Sequence, residues 1–169
     1  EMNNTCIYSD IKINQDTIRI YNIHLASNSF SQEDLEFIHS PHFEKGTLQE
    51  GIIGISKRLK RSFESRGDEV DYIKDHIKNS PYPTIICGDF NDTPVSYAYQ
   101  ELSYGKKDAF IESGNGIGST YFKIPVLRID YILYDKILKS RNFITHQKEL
   151  SDHRAISTEI ILPIQDLQQ

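Results

Sequence analysis

Cysteine is scarce: Cys6 and Cys87 are the only two in 169 residues. That excludes a disulfide framework, and neither cysteine belongs to a ligand-spaced cluster. Each lies in an apolar β-like run, so both read as buried free thiols. Long hydrophobic runs are missing as well. No stretch approaches the length of a membrane span, and no signal peptide is visible. Positive charge is in deficit, with 19 Lys and Arg against 24 Asp and Glu and a formal net charge of −5. A balance of this sign excludes broad electrostatic adhesion to nucleic acid or anionic lipid, although a local basic patch stays compatible with it. There is no low-complexity tract and no internal repeat. What remains is an ordinary globular composition, 38% hydrophobic and 25% charged, in a chain long enough for one domain with a proper core. The sequence opens on Glu1 and enters an extended segment almost at once, which reads as a piece of a longer protein.

Periodicity gives the element order. Residues 6–13 and 17–25 are rich in β-branched side chains and flank Asn14-Gln15-Asp16, which predicts a hairpin. On its second strand Ile18, Ile20, Asn22 and His24 share one face, while Arg19, Tyr21, Ile23 and Leu25 share the other. The first face turns from apolar to polar towards its C-terminal end, as expected where a core strand emerges into a site. Residues 26–56 are mixed in polarity, carry three glycines and are too long for an ordinary connection, so they read as a partly ordered insertion or lid. Within them His39 and His42 have no nearby acid cluster and read as an exposed loop. Leu59, Phe63, Val70, Ile73 and Ile77 recur at helical spacing and predict a helix over 57–78. The basic residues Lys57, Arg58, Lys60, Arg61 and Arg66 fall largely off that stripe and read as a solvated face. Gly67 weakens the helix by about 1 kcal/mol relative to alanine. The Arg66-Gly67-Asp68 tripeptide inside it reads as accidental.

Pro81 and Pro83 lead into an apolar run, Thr84 to Cys87, that stops abruptly at Gly88-Asp89-Phe90-Asn91. Thr93 with Pro94 predicts a helix start running to about Leu102. The glycines at 114, 116 and 118 mimic a phosphate-cradling loop by count, but a strand-like run rather than a helix follows, so that reading fails its context. Residues 128–134, 143–146 and 155–162 predict three further strands. Strands with few helices indicate an α+β domain.

Polar groups interrupt or terminate these runs at four places: Asn22 with His24, Asp89 with Asn91, Asp130, and Asp152 with His153. Each has a mundane reading. Asp89 and Asn91 could close a buried strand as an Asx-rich turn, His24 could be a half-buried histidine, and Asp130 a capped strand acid. Together they suit one task. Hydrolysis of a phosphodiester needs charge stabilisation on the non-bridging oxygens, an activated water and assistance to the leaving oxygen. Carboxylates around a divalent cation, an amide and two histidines with an orienting acid provide all three.

Tyr21 to Leu25 (YNIHL), Gly88 to Pro94 (GDFNDTP), Arg128 to Leu133 (RIDYIL) and Ser151 to His153 (SDH) resemble the endonuclease/exonuclease/phosphatase superfamily. Its members include deoxyribonuclease I-like nucleases, abasic-site endonucleases, sphingomyelinases and inositol polyphosphate phosphatases. The resemblance covers nearly the whole chain outside 26–56. It implies a two-sheet β-sandwich flanked by helices and Mg²⁺-dependent, or Mn²⁺-dependent, hydrolysis of a phosphoester or phosphodiester. Carried over position by position, it makes Asp89 a residue that aligns the attacking water or holds the metal. Asn91 would bond the phosphate or the nucleophile. His153, oriented by Asp130, would contact the scissile phosphate and move protons. His24 would support the phosphate and leaving oxygen with Asn22 beside it, and Asp152 would join Asp89 in the metal-binding group.

Family members also carry an earlier strand ending in an asparagine and then a metal-binding glutamate, and neither has a counterpart here. The expectation is therefore that residues 1–169 are the larger C-terminal part of one such domain, weak or inactive alone, and monomeric with no protein partner evident. The soluble domain would be joined upstream to a region that could carry a membrane anchor. Its substrate would be nucleic acid, phospholipid or a small phosphate, the last two favoured because the basic residues cluster on 57–66. Two alternatives compete. A non-catalytic binding module would keep the sandwich without the chemistry. A calcineurin-like phosphatase would need a later Gly-Asn-His block that this sequence does not contain.

Overall fold

The structure, a computed structural model, describes residues 6–28, 32, 36, 45–124, 126–148 and 150–163. Strand β1 (Cys6–Ile13) and strand β2 (Asp16–His24) form the expected hairpin, with Asn14 left-handed in the turn at φ 57°. Helix α1 (Lys45–Lys78) follows, then β3 (Thr84–Asp89), helix α2 (Tyr97–Ser103), the short β4 (Lys106–Asp108) and helix α3 (Ala109–Ser113). Strands β5 (Asp130–Asp135), β6 (Lys139–Thr145) and β7 (Ile156–Ile161) complete the chain. Five strands make one mixed sheet in the order β1-β2-β3-β5-β4, and β6-β7 make a second, antiparallel one. The α+β, two-sheet architecture is thus as the motifs implied.

The alternation read on β2 sorts the two layers. Tyr21, Ile23 and Leu25 face α1 and α2, where Val70, Ile73 and Ile77 of α1 are buried against them. Each of these three helix side chains contributes on the order of 1.5–3 kcal/mol of burial. Ile18 and Ile20 face the other way, towards Phe143 and Ile160 of the second sheet. Phe90 is fully buried on the helix side.

Several boundaries move. α1 begins at Lys45, so the end of the supposed lid is helix and Gly46, Gly51 and Gly54 lie within it. Extending an existing helix needs no new nucleus, which lets it absorb a glycine cost of about 1 kcal/mol at each such position. His39 and His42 lie outside the described residues. The buried stripe of α1 also differs from the predicted one. Phe63 is 49% exposed, whereas Ser62 and Arg66 are buried, Arg66 at 1%. Positions 62, 66, 70, 73 and 77 keep helical spacing, so the stripe continues through polar residues rather than rotating to follow Phe63. α2 starts later than predicted because Ser96, not Thr93, caps it, its side chain accepting from the Tyr99 amide. Pro94 sits instead in a turn closed by Ser96 N–H donating to the Thr93 carbonyl. The run after Gly118 forms only an isolated bridge between Tyr121 and His153. No helix among the described residues is long and apolar enough to cross a membrane.

Candidate active site

Strand register brings three of the polar groups into one row. β2 and β3 are parallel with His24 paired to Asp89, and β3 and β5 are antiparallel with Asp89 paired to Asp130. Period-two alternation puts His24, Asp89 and Asp130 on the face shared with Ile20, Cys87 and Ile132. Two strands therefore end, and one begins, at the same edge of the sheet with these side chains abreast. His24 Nε2 lies 3.8 Å from Asp89 Oδ2, its ring largely in solvent.

His153 arrives from the second layer. The bridge to Tyr121 fixes its backbone, and the Tyr121 ring stands edge-on to the imidazole at 5.1 Å between centroids. Its Nδ1 is 3.0 Å from Asp130 Oδ2, and its Nε2 is 3.9 Å from Asp89 Oδ2. An ionised carboxylate can only accept, so Nδ1 carries the proton, donates to Asp130 and leaves the Nε2 lone pair directed at the row.

Asp89 is largely buried, and burial raises its carboxyl above the ordinary carboxylate range. The neighbouring Asp130 pushes the same way, while the Asn91 amide, His153 and His24 oppose it. A crowded, partly desolvated pair of acids is a site where a cation would relieve repulsion. One ligand atom from each of Asp89, Asp130 and His153 falls within 4.8 Å of the others. Carboxylate oxygens suit a hard divalent ion such as Mg²⁺, and the imidazole nitrogen is compatible with Mn²⁺.

The remaining predicted residues stand differently. Asn91 does not share the β3 pleat with Asp89, because the chain turns left-handed there, at φ 51°. Its backbone N–H donates to Asp89 Oδ1 at 2.7 Å, and its Nδ2 donates to the Leu25 carbonyl at 2.9 Å. The stretch is at once an Asx turn and part of the site. Gly88, at φ 136°, lies so close to Ile23 that any Cβ would collide with that carbonyl. Asn22 is exposed two residues behind the row on the same face, paired with Cys87. With Asp130, His153, Ile132 and Ile156 it lines a cleft of about 720 Å³ beside the site. Asp152 is outside the cluster. It is paired to Lys123 at 2.8 Å, and that ammonium holds its carboxyl below the usual range.

The row and His153 lie at the junction of a two-layer α+β scaffold, and comparison with known proteins gives the family to which that scaffold belongs. The chain matches the Endonuclease/Exonuclease/phosphatase family over residues 48–153, and it belongs to that family. No curated protein matches it. Among solved structures, an endonuclease/exonuclease/phosphatase from Bacteroides vulgatus superposes with a TM-score of 0.59 at 18% identity, over 94% of this chain and 55% of that one. A mannosyl-6-phosphatase from Bacteroides thetaiotaomicron gives 0.55 at 16% identity, covering 93% and 57%. A beta toxin from Staphylococcus aureus gives 0.54 at 16% identity, covering 91% and 56%. The chain thus spans a little over half the length of each of these structures.

Proposed function

We propose that this chain carries the reaction centre of a divalent-metal-dependent phosphoesterase. The observation that supports this reading best is the His24–Asp89–Asp130 row with His153 held over it by Asp130. Asp89 and Asp130 would hold the ion, which when bound supplies charge neutralisation for a phosphoryl oxygen and a more acidic water. Asp130 fixes the tautomer of His153, so Nε2 is free to take or return a proton at the attacking or leaving oxygen. His24, exposed at the row's end, would donate to the phosphate or the leaving oxygen. Asn91 holds the Asp89 carboxylate through its backbone N–H, and its carboxamide nitrogen retains a second donor after bonding Leu25. Asn22 borders the cleft in which the ester's remaining group would lie. Asp152, proposed as a further metal ligand, would first have to leave Lys123.

The domain proposal follows the same line. Residues 1–169 would be the larger C-terminal part of a family domain, which fits the span of a little over half of the solved structures. Alone they would turn over weakly. The test is an activity panel on the natural full-length protein with Mg²⁺, Mn²⁺ or EDTA, using plasmid DNA, abasic-site DNA, sphingomyelin, inositol phosphates and a sugar phosphate. Metal-dependent turnover that disappears in Asp89→Ala is the expected result. No turnover on any substrate would instead favour the binding module. Vigorous turnover by the isolated 169 residues would refute the domain proposal.

A further inference from the structure

The stripe by which α1 enters the core is apolar at Val70, Ile73 and Ile77, then polar at Arg66 and Ser62, and the polar half lies beside the candidate site. Arg66 is more deeply buried than any other charged residue among those described, at 1% exposure. Its Nε donates to Asp92 Oδ2 at 3.0 Å and its Nη1 to the Ala26 carbonyl at 2.8 Å. Asp92 follows Asp89 by three residues, and Ala26 follows His24 by two. The planar guanidinium therefore spans the chain just beyond both strand ends that carry the row. The same helix face holds the rest of that junction. Glu69 Oε2 accepts from the Ala26 amide at 2.9 Å, and Ser62 donates to the Ser27 carbonyl at 3.0 Å. Asp92 is fixed in turn, its Oδ1 accepting from the Thr93 amide and its carbonyl accepting from the Tyr131 hydroxyl.

We propose that Arg66 is a positioning residue for the reaction centre, holding the ends of β2 and β3 at the separation where His24 meets Asp89. This rests on the phosphoesterase reading above. The physical reason to assign register rather than stability is the chemistry of the pair. A buried ion pair is commonly replaced by apolar side chains with no loss of stability, so a core that needed only packing would continue the Val70–Ile77 pattern through 66. Two directional bonds from one rigid fork give what an apolar side chain cannot, a fixed spacing between the Ala26 backbone and the Asp92 carboxylate. A displacement of about 1 Å at reacting groups can cost on the order of a hundredfold in rate.

The experiment uses the natural full-length protein and two variants. Arg66→Lys keeps the charge but replaces the fork with one ammonium. Arg66→Met combined with Asp92→Leu replaces the pair by apolar bulk. On the substrate identified by the panel, kcat should fall by about tenfold or more in both, with KM within about twofold and a cooperative melt retained. Amide exchange at Leu25 and Asn91 should accelerate while Ile86 and Leu133 keep wild-type protection. A kcat within about twofold of wild type in both variants overturns the positioning role and leaves the phosphoesterase reading intact. So does a loss that merely tracks the folded fraction, or failure of both variants to fold, since Arg66 would then be a stability residue. If the wild-type protein turns over nothing, the phosphoesterase reading is what fails. The exchange data then decide alone, with unchanged protection at Leu25 and Asn91 overturning the clamp and selective acceleration supporting it.

Discussion

Asp89 is in conflict with its surroundings before any ion binds. Its folded-state pKa is raised, so the protonated form is favoured on folding. The stabilising contribution is therefore complete below the ordinary carboxylate pKa and lost as pH rises through the folded value. Asp89→Asn, which keeps an acceptor for the Asn91 amide, should raise the Tm of the EDTA-treated protein at pH 7. The gain should vanish at a pH below the ordinary carboxylate range, and melts at the two pH values check the sign. The same substitution should abolish metal-dependent turnover, so stability and activity move in opposite directions. For His153→Ala the expected loss is in kcat, by about 10²–10⁴-fold as for a general acid or base. Single-substrate kinetics separate that from a binding defect. At this scale local pattern gave residue types, and only the family resemblance paired Asp130 with His153, a contact the structure contains. Local pattern presented Asp89, Asp130 and His153 as separate groups, and it placed Arg66 on a solvated face. The missed signal was spacing: Arg66 stands four residues before Val70, on the stripe that continues to Ile73 and Ile77.

The decisive element is the turn at the end of β3. Gly88 is required there because β2 approaches within contact of its Cα, at a φ that side chains rarely adopt. Gly88→Ala should cost more than the roughly 1–3 kcal/mol of backbone strain alone, since the collision is with backbone and cannot be relieved by a rotamer change. Urea unfolding of the variant measures this, and an unchanged midpoint would show that β2 and β3 separate readily. Helix α1 teaches a different lesson about elements. Its apolar C-terminal half was legible from periodicity, yet its start at Lys45 was not, because glycines and mixed polarity mask a helix that continues from a stable end. Ser96 displaced Thr93 as the cap of α2 for a similarly local reason, the 93–96 turn having already used Pro94.

Across the whole molecule, the site is a junction of the two layers: the row belongs to the five-stranded sheet and His153 to the segment entering the second. Metal binding should therefore couple to folding of both. Millimolar Mg²⁺ or Mn²⁺ should raise the Tm of the wild-type natural full-length protein, by mass action, while Asp89→Ala together with Asp130→Ala shows no shift. Thermal melts with and without EDTA test this independently of any substrate, and an equal shift in the double variant would remove the metal from Asp89 and Asp130.

The sequence by itself determined the alternation of β2, the abrupt end of β3, the apolar face of α1 and the motif order that marks the family, since each is set by residues close in the chain. Only the tertiary structure decided that His24, Asp89 and Asp130 stand abreast, that Asn91 serves both turn and site, and that Asp152 faces Lys123. It also decided that a buried charged side chain, Arg66, lies where the helix meets the chain just beyond the ends of β2 and β3. Those outcomes depend on strand register and on which backbone atoms remain unpaired once the layers close, and neither quantity is written in local spacing.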